Sequence, residues 1–202
     1  LLFSHVRHVG HAVENRATGR SGYLRCDACH TEEPSGHNYE NVRFATRCQE
    51  CHALGFDESF PEQQALHGDP AEMRRGLLEF YSAVALGALS PPAGNPRVLR
   101  ATPGAPLSPA ERKAALSWAE RQARSADRFL MGDEKRCGMC HPIRPGAASD
   151  GGDGVARVDV PRTWLPRAEF SHRAHMPTPC SGCHAAITVF DPQASPEVPR
   201  PE

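Results

Sequence analysis

The sequence predicts a mainly α-helical fold with much irregular structure, in which the chain wraps bound groups instead of building an ordinary apolar core. Three observations lead there. Hydrophobic residues are 39% and aromatics 6% of the 202 residues, thin material for a core of that length. The 17 glycines and 19 prolines favour loops over long regular elements. Finally, one five-residue word occurs four times, as Cys26-Asp27-Ala28-Cys29-His30, Cys48-Gln49-Glu50-Cys51-His52, Cys137-Gly138-Met139-Cys140-His141 and Cys180-Ser181-Gly182-Cys183-His184, and it consumes all 8 cysteines.

C-x-x-C-H is the attachment signature of c-type haem. The two thiols add across the two vinyl groups of one porphyrin, and the adjacent histidine supplies an axial nitrogen to the iron. Paired C-x-x-C words also mark zinc sites, dithiol redox sites and disulfide scaffolds. Zinc does not require a histidine after every second cysteine, a thioredoxin-like site needs one such word on a βαβ unit, and a disulfide scaffold does not repeat one pentapeptide four times. The expectation is four covalently attached haem c groups, bound by Cys26, Cys29, Cys48, Cys51, Cys137, Cys140, Cys180 and Cys183, with His30, His52, His141 and His184 as proximal iron ligands. The fold class then becomes a multihaem cytochrome c with four haems as its core, and the apo-chain is expected to fold poorly without them.

Along the chain, residues 1–68 read as an N-terminal dihaem module and 136–190 as a C-terminal one. Each carries the word Phe-Ser-His-x-x-His, at Phe3–His8 and at Phe170–His175. Between them, 69–135 reads as a helical insert. Asp69-Pro70-Ala71-Glu72 is a helix start with N-cap, proline at N1 and Glu at N3, and the helix is expected to run to about Leu89. A proline-rich connector follows from Pro91 to Pro106. Ser108-Pro109-Ala110-Glu111 is a second capping box, opening a helix to about Met131 with Leu116, Ala119, Ala123, Ala126 and Leu130 on one face. The loop Gly146–Gly154 resembles a cation-binding loop only superficially and is expected to be solvated and flexible. The tail 191–202 is polar and proline-rich, expected to be extended.

Charge and hydropathy exclude some partners. The formal charge is −1, falling to about −9 if eight haem propionates ionise, and no strong basic patch suggests nucleic acid. The most apolar stretch, Leu77 to Leu89, is too short to span a membrane. The chain opens inside a ligand word, so a signal peptide is not expected in it. Because covalent haem attachment takes place outside the bacterial inner membrane, an exported protein of the periplasm or cell exterior is expected.

The segment Phe170–His184, FSHRAHMPTPCSGCH, resembles the ligand segment of class III cytochromes c and their low-potential, bis-histidine multihaem relatives. In that family the first histidine of the word serves the iron of the following attachment site, and the second reaches a neighbouring haem. The resemblance implies that His172 serves the haem on Cys180/Cys183 and His175 that on Cys137/Cys140. By the same word, His5 serves Cys26/Cys29 and His8 serves Cys48/Cys51. His11 competes with His8, His67 competes for the second haem, and His37 is a further spare. The resemblance covers these two words and the four attachment sites; the insert is not part of the family pattern. Met73, Met131, Met139 and Met176 recur at no fixed spacing from the four words, so bis-histidine ligation and low potentials are expected.

Closed irons predict an electron carrier, not an enzyme, with redox proteins as partners. A subunit of a larger conduit (a cytochrome filament or a membrane-bound respiratory complex) and a multihaem reductase with one open iron are the rival classes.

Overall fold

A computed structural model of the chain describes residues 3–9, 12–15, 19–87, 89, 106–132, 136–156 and 170–185. The tail, nearly all of the proline-rich connector and His11 lie outside the described residues. Helices with a few short strands make up the architecture, and among the described residues no helix is long and apolar enough to cross a membrane.

The chain divides into two compact units, one of Ala53–Arg157 and one of Leu2–His52 with Val158–Glu202. This differs from a division into two dihaem halves. The third attachment word belongs with the helical insert, while the first, second and fourth share the other unit.

The helical unit is built on α3 (Pro70–Ala85) and α4 (Pro109–Gly132), which pack against each other. Helix α3 starts where the sequence says. The Asp69 carboxylate accepts from the N–H groups of Ala71 and Glu72 at 2.9 and 3.2 Å, satisfying two of the donors a helix start leaves open. It ends at Ala85, earlier than expected. Gly87 takes a left-handed φ of 78° and donates to Val84 O at 3.1 Å, a glycine cap that stops the helix. Helix α4 opens with a reciprocal capping box, Glu111 N–H to Ser108 Oγ at 3.2 Å and Ser108 N–H to Glu111 Oε2 at 2.8 Å.

The packing is large against small. Met73, Leu77, Tyr81, Val84 and Ala85 are buried on α3, while α4 buries Ala115, Ala119, Ala123, Ala126, Leu130 and Met131. The alanine stripe lets α3 place its larger side chains against α4. Leu116 is corrected: it is 40% exposed, because the inward stripe passes through Ala115 one position earlier. Phe56 and Phe60 extend this core by edge-to-face contacts with Phe80 at 5.3 and 4.9 Å. Tyr81 lies edge-on to Trp118 at 5.9 Å and donates its hydroxyl to Asp57 Oδ2 at 2.8 Å, which keeps a buried polar tip paired.

The loop between β3 (Ile143–Arg144) and β4 (Gly154–Val155) is not the free loop expected. Its cation is the guanidinium of Arg74 on α3. Arg74 Nε and Nη2 both donate to the Asp150 carboxylate at 2.6 Å, and Nη1 donates to Asp127 Oδ1 at 3.2 Å and Asp153 O at 3.0 Å. A bidentate charge-assisted pair is the strong form of such a contact. Gly152 leaves room for the clamp, since a Cβ there would meet the Arg74 guanidinium carbon at 2.8 Å and push it aside.

In the other unit α1 (His5–Val9) leads into the antiparallel pair β1 (Ala12–Asn15) and β2 (Arg20–Tyr23), with Val13 opposite Gly22. One-turn helices follow, α2 (Phe44–Arg47), α6 (His172–His175) and α7 (Cys180–Cys183); α5 (Cys137–Cys140) is the matching turn of the helical unit. The contrast between the units is in their cores. Every buried hydrophobic side chain among the described residues lies between Phe56 and Met131. Among those residues, the unit that holds three attachment words has none.

This packing makes two stability effects measurable. Leu130 is fully buried, and Leu130→Ala should cost about 3 kcal/mol, read as a lower denaturant midpoint for loss of helical signal. Asp150 is held down to about 2 by the Arg74 guanidinium, against an ordinary 3.8. The clamp therefore contributes stability above the ordinary value and loses it as pH falls from about 4 through about 2; Asp150→Asn should flatten that acid limb in midpoint-against-pH measurements.

Candidate functional site

All four C-x-x-C-H words adopt one local fold. The histidine N–H donates to the carbonyl of the first cysteine, at 2.9 Å for His30 to Cys26, 2.8 Å for His52 to Cys48, 2.8 Å for His141 to Cys137 and 2.9 Å for His184 to Cys180. This is a single closed helical turn. It sets the side chains at positions 1, 4 and 5 of the word on neighbouring parts of one face, so two sulfurs and one imidazole can address the same flat group. No disulfide joins any of the eight cysteines. Burial pushes the Cys26, Cys137 and Cys140 thiols up, assisted at Cys26 by the Cys180 thiol. An activated dithiol would show the opposite shift.

The two Phe-Ser-His-x-x-His words are also one device used twice. Phe3 is edge-on to His5 at 5.0 Å and stacked on His8 at 4.5 Å; Phe170 is edge-on to His172 at 4.9 Å and stacked on His175 at 4.7 Å. In both words Nδ1 of the second histidine donates to the serine carbonyl at 2.8 Å, His8 to Ser4 and His175 to Ser171. His172 Nδ1 likewise donates to His37 O at 3.0 Å. A backbone acceptor on Nδ1 fixes the tautomer and leaves the Nε2 lone pair outward, the usual support of a metal-ligating histidine.

Three attachment histidines face a second histidine ring. The centroid separations are 6.2 Å for His5 and His30, 6.0 Å for His8 and His52, and 6.0 Å for His67 and His141. A ligating imidazole nitrogen sits about 2 Å from its metal, and the ring centroid lies about 1 Å further back. Two imidazoles on opposite sides of one ion are therefore about 6 Å apart. Ordinary aromatic pairing also allows about 4.5–7 Å, but it gives no reason for each pair to join one attachment histidine to one other.

His67 beside His141 is a pairing that the sequence reading does not contain. The family resemblance sends His175 to the third site, and the sequence makes His67 a competitor for the second. The physical reason is that His67 stands just before α3, in the same compact unit as Cys137–His141, so its partner is fixed by the helical packing. No spacing rule in the sequence signals that. His37 is exposed and donates from Nδ1 to Phe170 O at 3.3 Å. His172 lies edge-on to Tyr39 at 4.9 Å. Met73 and Met131 are buried in the helix core, whereas Met139 and Met176 are exposed.

Further features at the first and third words fit a haem. Burial pushes His5, His30, His67 and His141 below the ordinary histidine value, with neighbouring histidines adding to the effect at His5, His30 and His141; neutral imidazole is the metal-binding form. An open cleft of about 690 Å³ adjoins Cys29, with Arg43 and Arg47 beside Glu33 and Glu40 on its wall, room for part of a large flat group. Among the described residues no three His, Cys, Asp or Glu side chains converge as a metal site. Zinc needs about four protein donors, while a porphyrin brings four nitrogens of its own and asks for two.

Comparison with protein-family models, curated proteins and solved structures finds no match to this chain.

Proposed function

We propose that this chain is a tetrahaem c-type cytochrome of the low-potential bis-histidine kind, whose work is electron transfer. The observation that carries the reading is the set of three histidine pairs at 6.0–6.2 Å, each joining an attachment histidine to a second one. Bound haem supplies a one-electron iron couple whose potential the axial ligands set. The chain's own residues do the rest. The four closed turns hold the thioether cysteines, Phe3 and the Ser4 carbonyl aim His8, and the three-residue spacing of His5 and His8 sends neighbouring imidazoles to two different attachment sites.

On this reading His5 and His30 close the first iron, His8 and His52 the second, and His67 and His141 the third. The fourth attachment site takes its second ligand from the histidines of the Phe170–His175 word, with His37 as a further alternate. With both axial positions filled the chain offers no iron to a substrate, and the partners are redox proteins. Haem attachment places the protein in the periplasm or at the cell exterior. The unit with no buried hydrophobic side chain among its described residues gains its core from the porphyrins.

The resting oxidised protein is expected to give only low-spin ferric resonances. His67→Ala should retain four haems by mass and convert one of them to high spin, while His175→Ala should leave the haem of Cys137/Cys140 low-spin. High-spin iron in the unaltered protein would favour a reductase. His67→Met should keep that iron low-spin and raise one of the four potentials in a redox titration, because Met/His ligation raises potential.

A further inference from the structure

We propose that the two ends of the chain build one dihaem chamber, in which the haem of Cys26/Cys29 and the haem of Cys180/Cys183 lie against each other across a wall containing Tyr39. The chamber presupposes four attached haems and adds an order to them.

The first cysteines of the first and last words, at opposite ends of the sequence, are neighbours, Cys26 beside Cys180. Tyr39 is edge-on to His30 at 6.0 Å and to His172 at 4.9 Å, so a single aromatic ring separates a ligand of the first haem from a histidine of the last word. These contacts lie within one compact unit.

A specific docking holds the arrangement. The Phe170–His175 word is seated on the turn that precedes Tyr39. Arg173 N–H donates to Gly36 O at 3.3 Å, Ser171 Oγ donates to the same carbonyl at 3.3 Å, and Arg173 Nε pairs with Glu32 at 3.3 Å. Gly36 has a left-handed φ of 74°, and a Cβ there would stand 3.2 Å from Arg173 Cβ and 3.0 Å from its guanidinium carbon. The turn is thus shaped for close approach of Arg173. Electron flow from the first haem then has two exits, through the His5/His8 spacing to the second site and across Tyr39 to the fourth, so the order of the wire is not the order of the sequence.

The test uses the mature, haem-loaded protein. In a variant that keeps only the first and fourth haems (Cys48→Ala, Cys51→Ala, Cys137→Ala, Cys140→Ala), with two haems verified by mass, the Soret circular dichroism should be bisignate. Gly36→Val in that background should reduce the couplet by at least about half, since the added side chain meets Arg173. Two attached haems with a single-signed Soret band overturn the chamber and leave the tetrahaem reading standing; fewer than four haem masses on the unaltered protein overturn both. If the two-haem variant does not accumulate, the four-haem protein carrying Arg173→Ala decides: loss of the contacts to Glu32 and Pro34 should change its Soret couplet, and an unchanged couplet overturns the docking on which the chamber depends.

Discussion

The closure of one helical turn by a histidine N–H on the carbonyl of the first cysteine constrains everything else in this molecule. It fixes two sulfurs and an imidazole as a unit. On the proposed reading, four such units leave the remaining fold one geometric requirement, which is to bring a second imidazole to the far side of each. Short segments suffice for this, since His5–Val9 alone sets two rings beside attachment histidines. The Phe-Ser-His-x-x-His word repeats the same stacking and the same serine carbonyl contact twice; its first copy sets His5 and His8 beside His30 and His52, and the helical unit sets His67 beside His141.

The two units solve the problem of stability in different ways. Around α3 and α4 the chain has an ordinary protein core, with capped helices, an alanine stripe under larger side chains, and the Arg74 clamp that draws the β3–β4 loop onto the helices. The other unit has no buried hydrophobic side chain among its described residues, although it carries three of the four attachment words. Apolar burial is the main favourable term in folding, and on the proposed reading the porphyrins would supply it in this unit. On that reading the helical unit is the part expected to hold its shape by itself, and the other unit the part whose order depends on haem attachment.

Local chemistry is legible in the sequence and long-range pairing is not. Asp69 and Ser108 act as helix caps because capping involves residues two or three positions apart. The aromatic–histidine geometry of Phe3 and Phe170 follows from one short repeated word. Leu116 misleads because a helical face drawn through the larger apolar residues gives no weight to Ala115, and α4 packs through its smallest side chains. The Gly146–Gly154 loop looks solvated because nothing nearby in sequence indicates that Arg74 will reach it. His67 opposite His141, and Cys26 against Cys180, join positions that only tertiary packing brings together. For the same reason the chain divides into units that cut across the dihaem halves its repeats suggest.

A role in electron transfer depends on four porphyrins being covalently present, one on each closed turn. Intact-mass measurement of the mature protein, with peptide mapping of the four words, tests this most directly. Four haem masses are predicted, one on each of Cys26/Cys29, Cys48/Cys51, Cys137/Cys140 and Cys180/Cys183. A mature chain carrying none, or zinc in their place, would contradict it.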